Sequence, residues 1–445
     1  MWEYFTDPVL AAPTIGCMLM SMIAAVVGAL AFLQRQSLVG EMLSHACYPG
    51  VIISLLVLQL FFPFSSDSSI LLATLVGAAL SCVFGMYLTN LLQHRFRVSS
   101  DAALCVVLSS FFGVGLLVLS ALQLSFPTLH RQLQSYLFGQ AATMTQGNVY
   151  IYALLAIVIV FSLLLFYRQI KMVIFDPQFA QVVGVNIRYT QFLLISLVVL
   201  AVVIGIRTIG VVLMSAMLIF PSCSARQWTD HLLRLLLLSS LFGLVCGFCG
   251  VYFSHTMSFM WLQDGRFISF PTGPMIVLAG GAVFLFSSLF APRSGLLLRL
   301  GRQISFWSKC QQENLLKMIW KLSEKEKRQE FSFEELKANF QVSSCRLWFL
   351  LFSLRSRGWL RRRKSKTYEL TASGMYWGRK IVRLHRIWEV YLVTYCGVAK
   401  DRVHPSAEEM EHIITREIEE ELSFVLHNPK LDPHKQPIPS GGCTS

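Results

Sequence analysis

VYIYALLAIVIVFSLLLF, Val149 to Phe166, is eighteen consecutive residues without a charge, a proline or a glycine. Wound as a helix it would be about 27 Å long, close to the thickness of bilayer hydrocarbon. A strip apolar on every face has no solvated side to offer a soluble fold. Working outward, further apolar runs occupy 11–33, 46–63, 70–90, 102–124, 191–206, 209–221, 235–253 and 273–290, which makes about nine spans. The run at 209–221 is short, and 46–63 follows a polar helix-like stretch that can belong to the same span. Composition agrees: 54% of the 445 residues are hydrophobic, 14% are charged, and the mean hydropathy is +0.57.

Charge divides the chain. Residues 1–290 hold 11 Lys and Arg against 8 Asp and Glu, and residues 291–445 hold 27 against 17, so the net +13 splits into +3 and +10. The first part is built for lipid, and the second is a basic segment long enough to bury its own core. The expected boundaries are a transmembrane domain at 1–290, an amphipathic linker at 291–311, a DNA-binding domain at 312–370 and further helices at 371–440. Arginine and lysine positions set the orientation. An outside N-terminus places Arg35, Arg95, Arg97, Arg168, Lys171, Arg188, Arg226 and Arg234 in cytoplasmic loops and leaves Arg131, Arg207 and Arg266 outside. Nine spans then end inside, placing the basic segment in the cytoplasm. MWEYFTDPVLAAP has no basic region ahead of its apolar stretch, so the first span is expected to remain. The eleven cysteines form no framework. Cys17, Cys47, Cys82, Cys105, Cys246 and Cys249 lie in apolar runs, where they pack as small hydrophobes, and no disulfide is expected.

In GEMLSHACYPG, Gly40–Gly50, the pair Glu41 and His45 falls on one helical face. Ionisable groups at membrane depth are costly and mark a pathway or a paired structural site; the spacing fits both. At the loop 175–185, Asp176 suits an N-cap, Pro177 the first helical position and Gly184 the stop. That predicts a short helix containing Phe179. No G-x-x-x-x-G-K-[ST] occurs, so ATP hydrolysis would need another subunit, and no H-E-x-x-H occurs, which argues against an intramembrane metalloprotease.

The basic half reads as helices at 312–325, 332–339, 343–357, 372–396 and 405–426, with a β-hairpin wing at 360–370. FSFEELKANF followed by QVSSCRLWFLLFSLRSRGWL is a helix-turn-helix pattern, with Ser343 as a cap beside Ser344. Between Glu335 and Glu369 lie Lys337, Arg346, Arg355, Arg357, Arg361, Arg362, Arg363, Lys364 and Lys366 with no acidic residue among them. That suits a phosphate backbone or an anionic lipid surface. Arg346 is the candidate for base contact, and the wing Arg361–Lys366, with Arg361, Arg362, Arg363 and Lys364 foremost, for phosphate or minor-groove contact. Further on, His385 and Glu389 share one helical face, and Glu408, Glu411 and His412 share another. Together they offer donors suited to Mn²⁺, Fe²⁺ or Zn²⁺.

The motif at 40–50, with SSDAALCVVLSSFFGVGLLVLS (99–120), SYLFGQ (135–140), FDPQFAQVVGV (175–185) and RTIGVVLMSAMLIFPSCSAR (207–226), resembles the permeases of zinc, manganese and iron ABC importers. The resemblance implies that Glu41 and His45 line the metal path, with Glu41 where Asp is usual. It also implies that Asp176, Pro177, Phe179 and Gly184 belong to an ATPase-docking helix. Implied partners are an ATP-binding subunit, a second permease subunit or a second copy, and an external metal-binding protein; the setting is the bacterial inner membrane. Residues 312–440 resemble the DtxR family of metal-dependent repressors. That implies His385, Glu389, His404, Glu408, Glu411 and His412 as the metal set and operator DNA as a partner, with the metal both cargo and corepressor. The positions where that family draws ligands from its first helix fall at Asn314 and Lys317, and a charged lysine is no ligand. The combination is similar to the permease–repressor fusions of chlamydial uptake operons, which puts iron ahead of manganese or zinc. The expectation is therefore an all-α polytopic membrane protein with a cytoplasmic winged helix-turn-helix and dimerisation domain: a non-enzymatic permease with feedback control. A membrane-tethered sensor without transport is the alternative. Release of the domain by cleavage within Arg293–Gln312, or its separate synthesis, is a further expectation.

Overall fold

The computed structural model describes residues 3–34, 37–61, 67–139, 141, 144–263, 270–363 and 367–440. Arg35, Arg266, Lys364 and Lys366 lie outside the described residues. The chain divides into two compact units, Met1–Arg299 and Leu300–Ser445.

The first unit is a helical bundle. After a single turn, α1 (Glu3–Thr6), the helix α2 (Pro8–Leu33) starts where the Asp7 carboxylate accepts the Val9 N–H at 2.9 Å and Pro8 sits in the first turn. Then come α3 (Ser37–Phe61), α4 (Asp67–Arg95), α5 (Ser100–Ser125), the short α6 (Pro127–Phe138), α7 (Gln146–Phe175), the six-residue α8 (Pro177–Val182), α9 (Ile187–Ile209), α10 (Val211–Trp228), α11 (Leu232–Gln263) and α12 (Thr272–Phe290). Helix α2 is the axis, packing on α3, α7, α9, α10 and α11. Its contact with α11 is made possible by Gly243 and Gly247, four residues apart. A Cβ on Gly243 would meet the Ser21 carbonyl at 2.5 Å, and one on Gly247 the Cys17 carbonyl at 2.7 Å, so only glycine lets the two backbones touch. The Cys246–Cys249 pair lies on this same helix; ten cysteines are free among the described residues, and Cys246 serves as buried packing.

Eight of these helices are long and apolar enough to cross a bilayer: α2, α3, α4, α5, α7, α9, α11 and α12. The ninth run, 209–221, forms α10, which carries Pro221 and ends in Arg226. Its ends lie level with those of α12. At one end Gly210, at φ +98°, lies against the backbone of Leu137 and Gly139, and the start of α12 at Gly273 meets Ile209 and Phe138. At the other end Arg226 pairs with Asp230 at 3.3 Å, and Asp230 also pairs with Arg293 just past α12. Helix α10 therefore runs beside the nineteen-residue α12 along its length. The GEMLSHACYPG segment lies within α3, so it belongs to the span.

In the second unit, α13 (Leu296–Glu326) leads to strand β1 (Glu330–Phe331), α14 (Phe333–Phe340), α15 (Ser344–Ser356), the hairpin β2 (Leu360–Arg362) and β3 (Tyr368–Leu370), then α16 (Ala372–Thr394), α17 (Val403–Met410) and α18 (Arg416–Val425). The small antiparallel sheet has the order β1-β3-β2, with Leu360 opposite Leu370. Its own apolar core joins Leu315, Leu316 and Ile319 of α13 to Leu347, Leu350, Leu351 and Leu354 of α15, with Phe331, Trp359 and Ile381. Those α15 positions recur at helical spacing, so one face is buried and the other is free. Two differences from the sequence reading stand out. The expected linker is helical from Leu296 onward, continuous with the first helix of the domain, so of the expected cleavage range only the turn that holds the exposed Arg293 and Ser294 lies ahead of the helix. And 405–426 is two helices, because the chain turns at Glu411–Thr415 and restarts with the Thr415 side chain accepting the Ile418 N–H.

Candidate functional site

The second unit gathers two clusters of imidazoles and carboxylates. Helix α16 presents His385 and, one turn later, Glu389; the first turn of α17 presents His404. His385 Nε2 lies 3.1 Å from Glu389 Oε1, and His404 Nδ1 lies 2.5 Å from the same oxygen. The donor atoms of the three lie within 4.8 Å of one another. Glu389 Oε1 is buried and makes no hydrogen bond, since neither ring nitrogen approaches it at a hydrogen-bonding angle. A buried anionic oxygen without a donor is expensive. A cation between the three groups would satisfy it, and two imidazoles with one carboxylate are a donor set for a divalent transition ion. Glu389 is fully buried, whereas the His404 side chain is 56% exposed, which leaves a way in. The His404 ring stacks at 4.8 Å on His434, a residue in the tail after α18 that the sequence pattern did not single out.

The second cluster is closed. His385 turns its other nitrogen, Nδ1, to Glu411 Oε2 at 2.6 Å. Lys317 of α13 reaches the same carboxylate with Nζ 2.7 and 3.0 Å from its two oxygens, and stands 3.1 Å from His385 Nδ1. His412 has both ring nitrogens engaged by α13, Nδ1 with Glu313 at 2.6 Å and Nε2 with Asn314 Oδ1 at 3.1 Å. Burial works against charge on His385, yet the carboxylates of Glu389 and Glu411 beside it carry its pKa above the ordinary imidazole value. Burial likewise favours the neutral acids, but His385 holds the carboxyls of Glu389 and Glu411 below their usual range, with Lys317 assisting at Glu411. The sequence-predicted set is thus divided: His385, Glu389 and His404 converge, Glu411 and His412 face α13, and Glu408 is exposed on α17, one turn after His404. Glu313 and Lys317 are the additional members.

Around the helix-turn-helix, Ser343 occupies the N-cap position of α15 in extended backbone, without a side-chain capping bond. Arg346 does not stand free. Its guanidinium lies 4.1 Å from the ring centre of Trp307 on α13, and its Nε is buried without a hydrogen-bond partner. In the wing Arg361 and Arg362 are exposed, but Arg363 is compensated by Glu330 at 2.8 Å and by Glu369 at 2.8 Å, which corrects the expectation of an unbroken row of unpaired cations. Sequence distance hid the Glu330 partner, because β1 lies before the helix-turn-helix.

In the membrane unit, Glu41 is half-buried and His45 buried, with the His45 ring edge-on to Phe112 at 4.6 Å. His45 Nδ1 and the hydroxyl of Tyr48 are buried without a hydrogen-bond partner. Glu41, His45 and Tyr48 follow one helical face, and Pro49 withholds the N–H that the His45 carbonyl would accept. Tyr48 was missed by the sequence reading, where a tyrosine in an apolar run looks like packing. At α8 the predicted chemistry is present: the Asp176 carboxylate accepts the Phe179 N–H at 2.9 Å, and Gly184, at φ +88°, ends the turn. Phe179 is 54% exposed and Val182 86%.

A bundle of membrane-crossing helices carrying an exposed loop helix, joined to a unit with a His-carboxylate cluster, defines a transport permease with a metal-binding regulatory domain. Residues 6–291 match the ABC 3 transport family, and the chain belongs to that family. Residues 371–440 match the iron dependent repressor, metal binding and dimerisation domain. The chain is 35% identical over 450 residues to a probable metal transport system membrane protein of Chlamydia trachomatis serovar D, covering 99% of each. It is 35% identical over 303 residues to the zinc transport system membrane protein TroC of Treponema pallidum, covering 68% of this chain and 96% of that one. The solved structure of PsaBC from Streptococcus pneumoniae in complex with Fab shares the fold with a TM-score of 0.55 and 23% identity, covering 66% of this chain and 95% of that one.

Proposed function

We propose that this chain is the permease subunit of an importer for a divalent transition metal, iron or manganese ahead of zinc, and that its C-terminal unit lies in the cytoplasm and represses transcription when metal binds His385, Glu389 and His404. The observation that carries the transport half is the line Glu41, His45, Tyr48 on α3, where a half-buried carboxylate is followed by two buried polar atoms without partners. Such atoms within a membrane helix fit a path for a cation that exchanges one set of oxygen and nitrogen contacts for the next. Helix α8, with Phe179 and Val182 exposed on a loop rather than in a span, fits the groove of a separate ATPase subunit. A second permease subunit and an external metal-binding protein complete the transport machinery. In the regulatory half Arg346 would reach base edges, and Arg361 and Arg362 the phosphates of operator DNA.

Uptake of radioactive Mn²⁺ into vesicles holding the assembled complex tests the reading. Glu41→Ala and His45→Ala are each expected to reduce uptake at least tenfold while the complex still assembles. Wild-type uptake by both variants would remove α3 from the path.

A further inference from the structure

Two clusters in the second unit have similar donors but opposite electrostatics. The His385–Glu389–His404 cluster holds a buried carboxylate oxygen with no hydrogen bond. The Glu411–His412 cluster has no such atom. Lys317 enters it with a side chain only 8% exposed and sets its ammonium against both oxygens of Glu411, whose own side chain is 0% exposed. The contacts of 2.7 and 3.0 Å place Nζ as donor to both carboxylate oxygens, and His385 Nδ1 lies 3.1 Å from it. These are hydrogen-bond lengths, longer than the roughly 2.0–2.2 Å at which an ion is ligated.

We propose that Lys317 is a tethered cation that fills the second ion position, so that the C-terminal unit of each chain takes up one divalent metal, at His385, Glu389 and His404, and no second ion. A divalent ion entering beside Glu411 would be placed next to an ammonium in a region with little water to screen the repulsion. To make room, the lysine would have to abandon its carboxylate partner while remaining buried. Lys317 also has a positioning role toward the site that remains. The carboxylate it holds accepts the N–H at Nδ1 of His385 at 2.6 Å. That bond fixes the tautomer in which Nε2 keeps its lone pair directed at Glu389 and His404. The chain of contacts runs ammonium, carboxylate, imidazole, ion. The inference rests on the reading of His385, Glu389 and His404 as a metal site.

The test counts ions on the full-length chain in detergent. Mn²⁺ is added to saturation and the unbound ion is measured by electron paramagnetic resonance. Comparison with the His385→Ala/His404→Ala/His412→Ala chain cancels any Mn²⁺ held by the membrane unit. The expected difference is one ion per chain. A difference of two would overturn the proposal, and no difference would overturn the metal-site reading beneath it. Lys317→Glu, which places a carboxylate where the ammonium sits, is expected to raise the difference from one to two. Lys317→Gln, uncharged and of similar reach, is expected to take the second ion with weaker affinity, and it decides the matter should Lys317→Glu lose both ions. A count that stays at one in the Gln chain would show that the lysine is not what excludes the second ion.

Discussion

Removing the Glu411 carboxylate should be among the most damaging single changes in the C-terminal unit, and a second substitution should undo most of the damage. In Glu411→Gln the Lys317 ammonium, 8% exposed, is left facing an amide and one imidazole nitrogen. Uncompensated burial of a charge of this kind costs about 3–5 kcal/mol. The unit from 300 to 445 has its own core, so a fragment of those residues is a fair subject for unfolding measurements. At that size each kcal/mol moves the melting temperature by roughly 2–4 °C, giving a fall of roughly 6–20 °C. Lys317→Met should cost less, about 1–3 kcal/mol, because the carboxylate keeps His385 as a partner at 2.6 Å. In Lys317→Met/Glu411→Gln no charge is stranded, and the Gln oxygen can still accept from His385 Nδ1. The double variant should therefore melt within about 1 kcal/mol of the wild type, leaving a coupling of at least about 3 kcal/mol. Calorimetry of the four fragments in EDTA measures this directly. Additive single costs, or a lysine variant less stable than the glutamine variant, would refute the clamp.

How much of this could be read from the chain alone depended on the range of the interaction. The spans were legible because an apolar helix needs only its own side chains to declare itself; even α10, whose run at 209–221 looked short, differs only in carrying Pro221 and the polar Ser222–Trp228 end. The cap at Asp176 and the stop at Gly184 were legible for the same local reason. The two His–carboxylate clusters were half legible. His385 and Glu389 sit one turn apart on α16, as their spacing implies, but the regular spacing through 405–426 concealed the turn at Glu411–Thr415, where Glu411 and His412 meet α13. Lys317 was recognisable as a misfit for a ligand position, yet its pairing with a residue 94 positions away is a tertiary fact. The same holds for Arg363, whose Glu330 partner precedes the helix-turn-helix, and for Tyr48, distinguished from packing only by a hydroxyl that finds no acceptor.

The wing yields a prediction that separates its arginines. Arg361→Ala/Arg362→Ala should lower the slope of log K against log salt by nearly 2 for binding to duplex DNA of random sequence, about 0.9 for each phosphate no longer neutralised, as measured by fluorescence anisotropy. Arg363→Ala should leave that slope unchanged, since its guanidinium already serves Glu330 and Glu369; an equal fall in both chains would mean that these ion pairs open on binding. A last prediction concerns Trp307, which covers the Arg346 guanidinium at 4.1 Å while the Nε finds no hydrogen-bond partner. An arginine that stacks on a half-exposed indole gains about 0.5–1 kcal/mol, and it must leave the ring to present its fork to a guanine. Trp307→Ala removes that cost, so binding to the chain's operator should tighten by about 2- to 5-fold, each 1.4 kcal/mol being tenfold. The gain must come through Arg346, so in an Arg346→Ala background the same change at Trp307 should have no effect on affinity. Weaker operator binding by Trp307→Ala would reverse the assignment: the indole would then hold the arginine in its reading position rather than withhold it.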